Sequence, residues 1–255
     1  MQRSRQHPAF YSLAFAALAA VLPAAVAAEP SGYKGPDFDL TSASVAHVAA
    51  LDVLVFEQQV AGTAGGTTPR ARGRLDGAPV LGYVFPTTLK PTDVGFGQTD
   101  GIVALAVASH PDFDDTPLWD ENGDGDYGND GVRWHTHWVV LVKDERVPGG
   151  LSVKEFRKAD AVVLPPTNPG MPMYMDSPGF SVLTRGGTLK VIVPAARVKS
   201  TSFKYDAVTC YMEVSAPDGG HATNGGAAAK PMLGVYEVFE VLSKDLSLPY
   251  EVVRR

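Results

Sequence analysis

Cysteine is almost missing from this chain. Cys210 is the only one among 255 residues, so no internal disulfide can form. The fold must therefore rest on its apolar core, or on that core together with bound ions, and a lone thiol of this kind is expected to be buried. No block of lysine and arginine is present either. Twenty-two basic residues stand against 28 acidic ones, a formal net charge of −6 that argues against nucleic acid as a partner. No long apolar run follows residue 28, so no membrane span is expected beyond the N-terminal segment. Helix signals are scarce: only "LSVKEFRKAD" (151–160) offers one or two turns. Nucleophile chemistry leaves little trace. There is no G-x-S-x-G elbow and no G-x-x-x-x-G-K-[ST] loop, and "GTAGG" lacks the strand–turn–helix setting of a phosphate cradle.

What is there begins with a basic start at Arg3 and Arg5, an Ala/Leu/Val run, and the small residues Ala25-Val26-Ala27-Ala28 before Glu29-Pro30. That is the three-part build of a secretory signal peptide. Residues 1–28 are expected to be removed and 29–255 to form one domain in the periplasm or outside the cell.

Runs rich in β-branched and aromatic residues recur between Gly/Pro/Asp/Asn clusters. They are 53–60, 80–85, 102–109, 134–143, 161–164, 188–194, 203–215 and 234–242, with "FDLTSASVAH" a further candidate before the first. Many short strands without strand–helix alternation predict an all-β fold, a single antiparallel β-sandwich or barrel-like domain with long loops and little helix. Long loops in a compact domain are commonly functional or disordered. Of these, 110–131 and 165–179 are the functional candidates, while "GTAGGTTPRARGRLDGAP" and "APDGGHATNGGAAAK" read as flexible.

The first functional loop carries Asp120-Glu121-Asn122-Gly123-Asp124-Gly125-Asp126, which fits D-x-[DN]-x-[DN]-G, the front half of an EF-hand calcium loop. Calcium takes six to eight hard oxygen ligands, and alternate side chains of a tightly wound loop can point inward together. Asp120, Asn122 and Asp124 are expected as side-chain ligands, with Asp126 and Asp130 completing the site. The twelfth position is Gly131 where an EF-hand has its bidentate glutamate, and a strand follows in place of a helix. The loop thus resembles calcium loops on other scaffolds, with Asp112, Asp114 or Asp115 available to lend the missing carboxylate or, alternatively, to hold a second ion. A structural calcium ion is the expectation.

"WHTHW" comes next. Side chains alternate faces along a strand, so His135 and His137 share one face with Val139 and Leu141, opposite Trp134, Thr136, Trp138 and Val140. Two imidazoles at this spacing, about 6–7 Å apart at their bases, can converge on one zinc, copper or iron ion. The ordinary alternative is a pair of hydrogen-bonded histidines at the end of a buried strand. A third ligand could come from His110 at the end of 102–109, from His47 or from His221. His135-Thr136-His137 with the later Pro217-Asp218-Gly219-Gly220-His221 resembles the two-motif pattern of the cupins. The second element is one residue short, and Glu145 lies eight residues past His137, farther than the cupin glutamate. Met171, Met173 and Met175 alternate in a Pro-rich loop, and Cys210 shares a strand face with Met212. Methionines in such places fill gaps in a core, or serve as soft copper ligands.

Three functions are consistent with these features. The first is an exported, calcium-stabilised metal-binding protein with a non-catalytic role. The second is a cupin-like metalloenzyme built on His135 and His137. The third is a calcium-dependent carbohydrate-binding or adhesion sandwich that presents Trp119, Trp134 and Tyr127 to a glycan or other small ligand.

Overall fold

A computed structural model describes residues 31–112, 120–121, 123–126, 130–157, 159–216 and 230–255. The fold is all-β. The strands are β1 (Leu40–Val48), β2 (Val53–Val60), β3 (Pro79–Pro86), β4 (Ile102–Ser109), β5 (His135–Lys143), β6 (Leu151–Val153) and β7 (Met175–Asp176), followed by β8 (Ser181–Arg185), β9 (Thr188–Pro194), β10 (Lys204–Tyr205), β11 (Val208–Val214), β12 (Leu233–Val241), β13 (Tyr250–Glu251) and β14 (Val253–Arg254). Six of them close into an antiparallel barrel in the order β4-β3-β11-β12-β6-β5, with β5 returning to pair with β4. Strand β7 pairs with β5. A second sheet runs β14-β1-β2-β9-β8, mixed because β14 joins β1 in parallel.

Two apolar clusters follow from this arrangement. One fills the space between the barrel wall and the second sheet, with Phe56, Phe85, Trp134, Trp138 and Val191 among its members. The other lies on the inner face of the barrel, with Ala104, Ala106, Ala108, Val139, Leu141, Cys210 and Met212. Strands β3, β4 and β5 therefore have both faces covered and read as almost unbroken buried runs. Strand β9 covers its partner with one face only, and its burial alternates. Phe56 meets Trp138 edge-on at 6.2 Å between ring centroids, tying β2 to β5 across the two layers. Such aromatic pairs contribute about 0.5–1.5 kcal/mol beyond the area they bury. Gln58, fully buried, donates from Nε2 to the Val84 carbonyl across the same layer at 3.0 Å.

Gly101 marks the entry to β4. Its φ is +142°, and an added Cβ would sit 2.4 Å from Val140 Cγ1 and 2.8 Å from the Leu141 carbonyl oxygen, so only glycine lets β4 approach β5 this closely.

Several local expectations needed revision. The segment 151–160 begins with strand β6 and not a helical turn, because Leu151 and Val153 pair with Lys143 and Leu141 of β5. Residues 161–164 form no strand, and 203–215 is split into β10 and β11 at Asp206-Ala207. The "GTAGG" loop is tied down by hydrogen bonds. Asp37 accepts from the Thr63 amide and Thr67 hydroxyl, and the Tyr83 hydroxyl accepts from the Gly65 amide. Asp112 accepts from the Arg72 and Gly73 amides, both at 2.7 Å.

Candidate metal centre

The register of β4 against β5 sets the site. Ala108 stands opposite His135 and Ala106 opposite His137. All four residues face the barrel interior, and the two methyl side chains leave room for the imidazoles. The histidines do share a face with Val139 and Leu141, while Trp134, Trp138 and Val140 pack in the other cluster. His110 follows β4 directly, and its amide donates to the Gly131 carbonyl at 2.9 Å, which draws the two ends of the acidic loop together. Ser109 Oγ donates to the Val132 carbonyl one step further on.

These constraints bring His110, His135 and His137 into one buried group. Their exposures are 2%, 3% and 4%, and one ring nitrogen from each lies within 4.8 Å of the others. His110 Nε2 is 2.9 Å from His135 Nε2. The His135 ring lies nearly perpendicular to both others, at 86° to His110 and 78° to His137. In a tetrahedral site with metal–nitrogen bonds of about 2.0–2.1 Å, neighbouring nitrogens are about 3.3 Å apart. The first pair is close to that spacing, and the third nitrogen lies within 4.8 Å of both. This cluster could hold a metal ion, and it is the single such group of histidines, cysteines or carboxylates among the described residues.

The rings of His135 and His137 are each oriented by a partner outside the cluster. His135 Nδ1 donates to the Arg133 carbonyl at 2.7 Å; a carbonyl can only accept, so Nδ1 carries the proton and Nε2 presents its lone pair. His137 Nδ1 hydrogen-bonds Ser177 Oγ at 3.0 Å, which leaves Nε2 for the cluster. Support of this kind from outside the ligand set is what metal-binding histidines commonly receive. Beside Ser177, the fully buried Asp176 accepts from Thr167 Oγ1, and burial raises its carboxyl above the usual carboxylate range.

The acidic loop reaches the site through Glu121, a residue that the sequence pattern passes over. Its carboxylate accepts the amides of Val132 (3.1 Å) and Arg133 (2.9 Å), and its own amide donates to Asp130 Oδ1 at 2.9 Å. The path thus runs from Asp130 through Glu121 to the Arg133 peptide, whose carbonyl sets the His135 tautomer. Asp120 accepts three loop amides, from Gly123, Asp124 and Gly125, and Asp124 accepts from the Asp126 amide. Asp124 and Asp126 are exposed, while Asp130 is 1% exposed with no hydrogen-bond donor at Oδ2 among the described residues. Asn122, Asp114 and Asp115 lie outside the described residues.

Other sequence candidates fall elsewhere. His47 sits on β1 and faces Asp52 at 3.4 Å, and Glu145 is exposed in the turn after β5. The second cupin-like element, with His221, lies outside the described residues, as do Trp119 and Tyr127. The third histidine of the cluster thus precedes His135-Thr136-His137 in the chain, unlike the cupin order. Trp134 belongs to the core, packed 4.8 Å from Tyr83 between ring centroids, with Nε1 donating to the Gly65 carbonyl at 3.0 Å.

His110 and His137 also line a cavity of about 150 Å³ inside the barrel. Met171, Met173, Met175, Met212 and Cys210 line it as well, so four of the six methionines and the one cysteine face the same space. Burial pushes the Cys210 thiol up to about 12, so it stays protonated and behaves as a small apolar group. No protein-family model matches the chain, and the search of curated proteins and that of solved structures likewise gave no match.

Proposed function

We propose that this protein is an exported transition-metal protein in which His110, His135 and His137 bind one zinc, copper or iron ion. The observation that carries the reading is the convergence of three buried imidazole nitrogens within 4.8 Å. Neutral imidazole suits these ions, and three protein ligands leave at least one coordination position for solvent or a ligand. The role is binding, with the ion held inside the barrel wall. Export is supported by the signal-type segment 1–28.

The acidic loop is read as a calcium site using Asp120, Asn122, Asp124, Asp126 and Asp130, with a structural role. Its support is the D-x-N-x-D-G spacing and the buried Asp130 carboxylate oxygen, which has no donor among the described residues. A metalloenzyme is the second reading, favoured by the cavity that His110 and His137 share with apolar side chains.

Titration of metal-free protein with cobalt(II) tests the metal assignment. The expected result is visible absorption of a low-coordinate nitrogen site that saturates at one ion per chain. The His135→Ala/His137→Ala variant is expected to lose that spectrum while keeping its β-type circular dichroism. Cobalt absorption that is the same in the variant would overturn the assignment.

A further inference from the structure

We infer that the barrel cavity is a binding site for a small, neutral, largely hydrocarbon ligand of about the size of a benzene ring, held against the His110 and His137 edge. Only the placement of the ligand beside an ion rests on the metal reading above; the pocket itself stands on the barrel.

The cavity is about 150 Å³, set in the inner apolar cluster. Its walls are aliphatic and sulfur-bearing, with Val84, Ala106 and Val139 beside Met175, Cys210 and Met212. Among the described residues, the imidazoles of His110 and His137 supply the polar side chains of the lining, and no carboxylate, ammonium or guanidinium belongs to it. Protein interiors are close-packed, with few voids larger than a water molecule. An apolar space of about 150 Å³ in another protein is known to stay dry and to take benzene or xenon. A charged or polyhydroxylated ligand would lose its hydration here without gaining partners, so sugars and phosphates do not suit this space.

The methionines fit the same role. Met173 and Met175 are buried at 2% and 3%, and the unbranched thioether can re-pack around ligands of different outline. Three of the lining methionines come from the 165–179 loop, which returns to β5 through β7 and carries Ser177 to His137. One segment thus both lines the pocket and orients a ring of the cluster.

The test uses the full mature chain, metal-free and metal-loaded, with benzene and xenon as probes. Benzene is followed by amide chemical shifts, xenon by its own resonance, and metal content is measured on the same samples. Saturable benzene binding to the metal-free protein is expected, with shifts centred on β4, β5 and β11. Benzoate and benzylammonium should bind at least a hundredfold more weakly. Cys210→Leu, which fills part of the space, should weaken benzene at least tenfold without lowering metal content. Xenon needs no substitution and keeps the inference testable should that variant fold poorly. Absence of saturable binding for both benzene and xenon overturns the inference even where a metal ion binds. Benzene binding by a protein that takes up no transition metal supports the pocket and defeats the metal reading alone.

Discussion

His110 and His135 face each other with their Nε2 atoms 2.9 Å apart and their rings almost perpendicular. The proton of His135 is fixed on Nδ1 by the Arg133 carbonyl, so its Nε2 offers a lone pair. Two arrangements satisfy such a pair: a proton shared from His110, or a cation between the rings. The second is the arrangement proposed above, with His137 as a third donor within 4.8 Å.

Ser177 is expected to act as a positioning residue for His137 through the 3.0 Å contact at Nδ1. Ser177→Ala should weaken transition-metal affinity by about 10–100-fold, the usual cost of losing such a partner. Competition with a chromophoric chelator measures it. The melting temperature of the metal-free protein should change little; an unchanged affinity would show that the contact does not serve the site.

Glu121 carries a parallel prediction. Its carboxylate holds the Val132 and Arg133 amides, two residues ahead of His135. Glu121→Gln preserves the shape but weakens both charge-assisted hydrogen bonds. Cobalt absorption should shift or broaden while the one-to-one stoichiometry is retained. A spectrum identical to that of the wild type would separate the acidic loop from the histidines.

That His135 and His137 share one face of β5, opposite Trp134 and Trp138, was legible in the sequence, because a period of two leaves no other choice once β5 is a strand; which face lines the barrel was not. His110 was legible as a candidate because it ends the apolar run 102–109. Ser177 was not, since it lies 40 residues from His137 and is brought there only by the short β5–β7 pairing. Barrel closure was hidden for the same reason: β4 and β5 pair across the acidic loop, and nothing local in either strand announces the pairing. Strand β8 escaped notice because its residues Ser181–Arg185 are largely exposed and carry little apolar pattern.

Asp144 supplies a pH dependence. The Arg146 guanidinium binds its carboxylate from Nε (2.9 Å) and Nη2 (2.7 Å), Ser152 Oγ donates at 2.8 Å, and the carboxyl is held down at about 2. A carboxyl lowered on folding stabilises above its unfolded value, about 3.9, and that contribution is lost as pH falls toward about 2. Asp144→Asn should flatten the stability curve over this acid range and cost about 1–2 kcal/mol near neutrality, allowing for solvent screening at the half-exposed Arg146. Denaturant midpoints at several pH values measure both effects, and a parallel curve for the variant would contradict them.

Calcium is expected to stabilise the 120–130 loop. Removal with a calcium-selective chelator should lower the melting temperature, and calcium should restore it where magnesium does not. Asp120→Ala should abolish the response, because Asp120 both begins the loop pattern and gathers three of its amides. A melting temperature indifferent to calcium in the wild type would remove the ion from this account.

The central claim is met most directly by elemental analysis of protein purified from its native compartment without added metal. The account predicts about one zinc, copper or iron ion per chain in the wild type and none in the His110→Ala/His135→Ala/His137→Ala variant. A wild-type protein carrying calcium alone, or a variant that keeps the full transition-metal content, would contradict it.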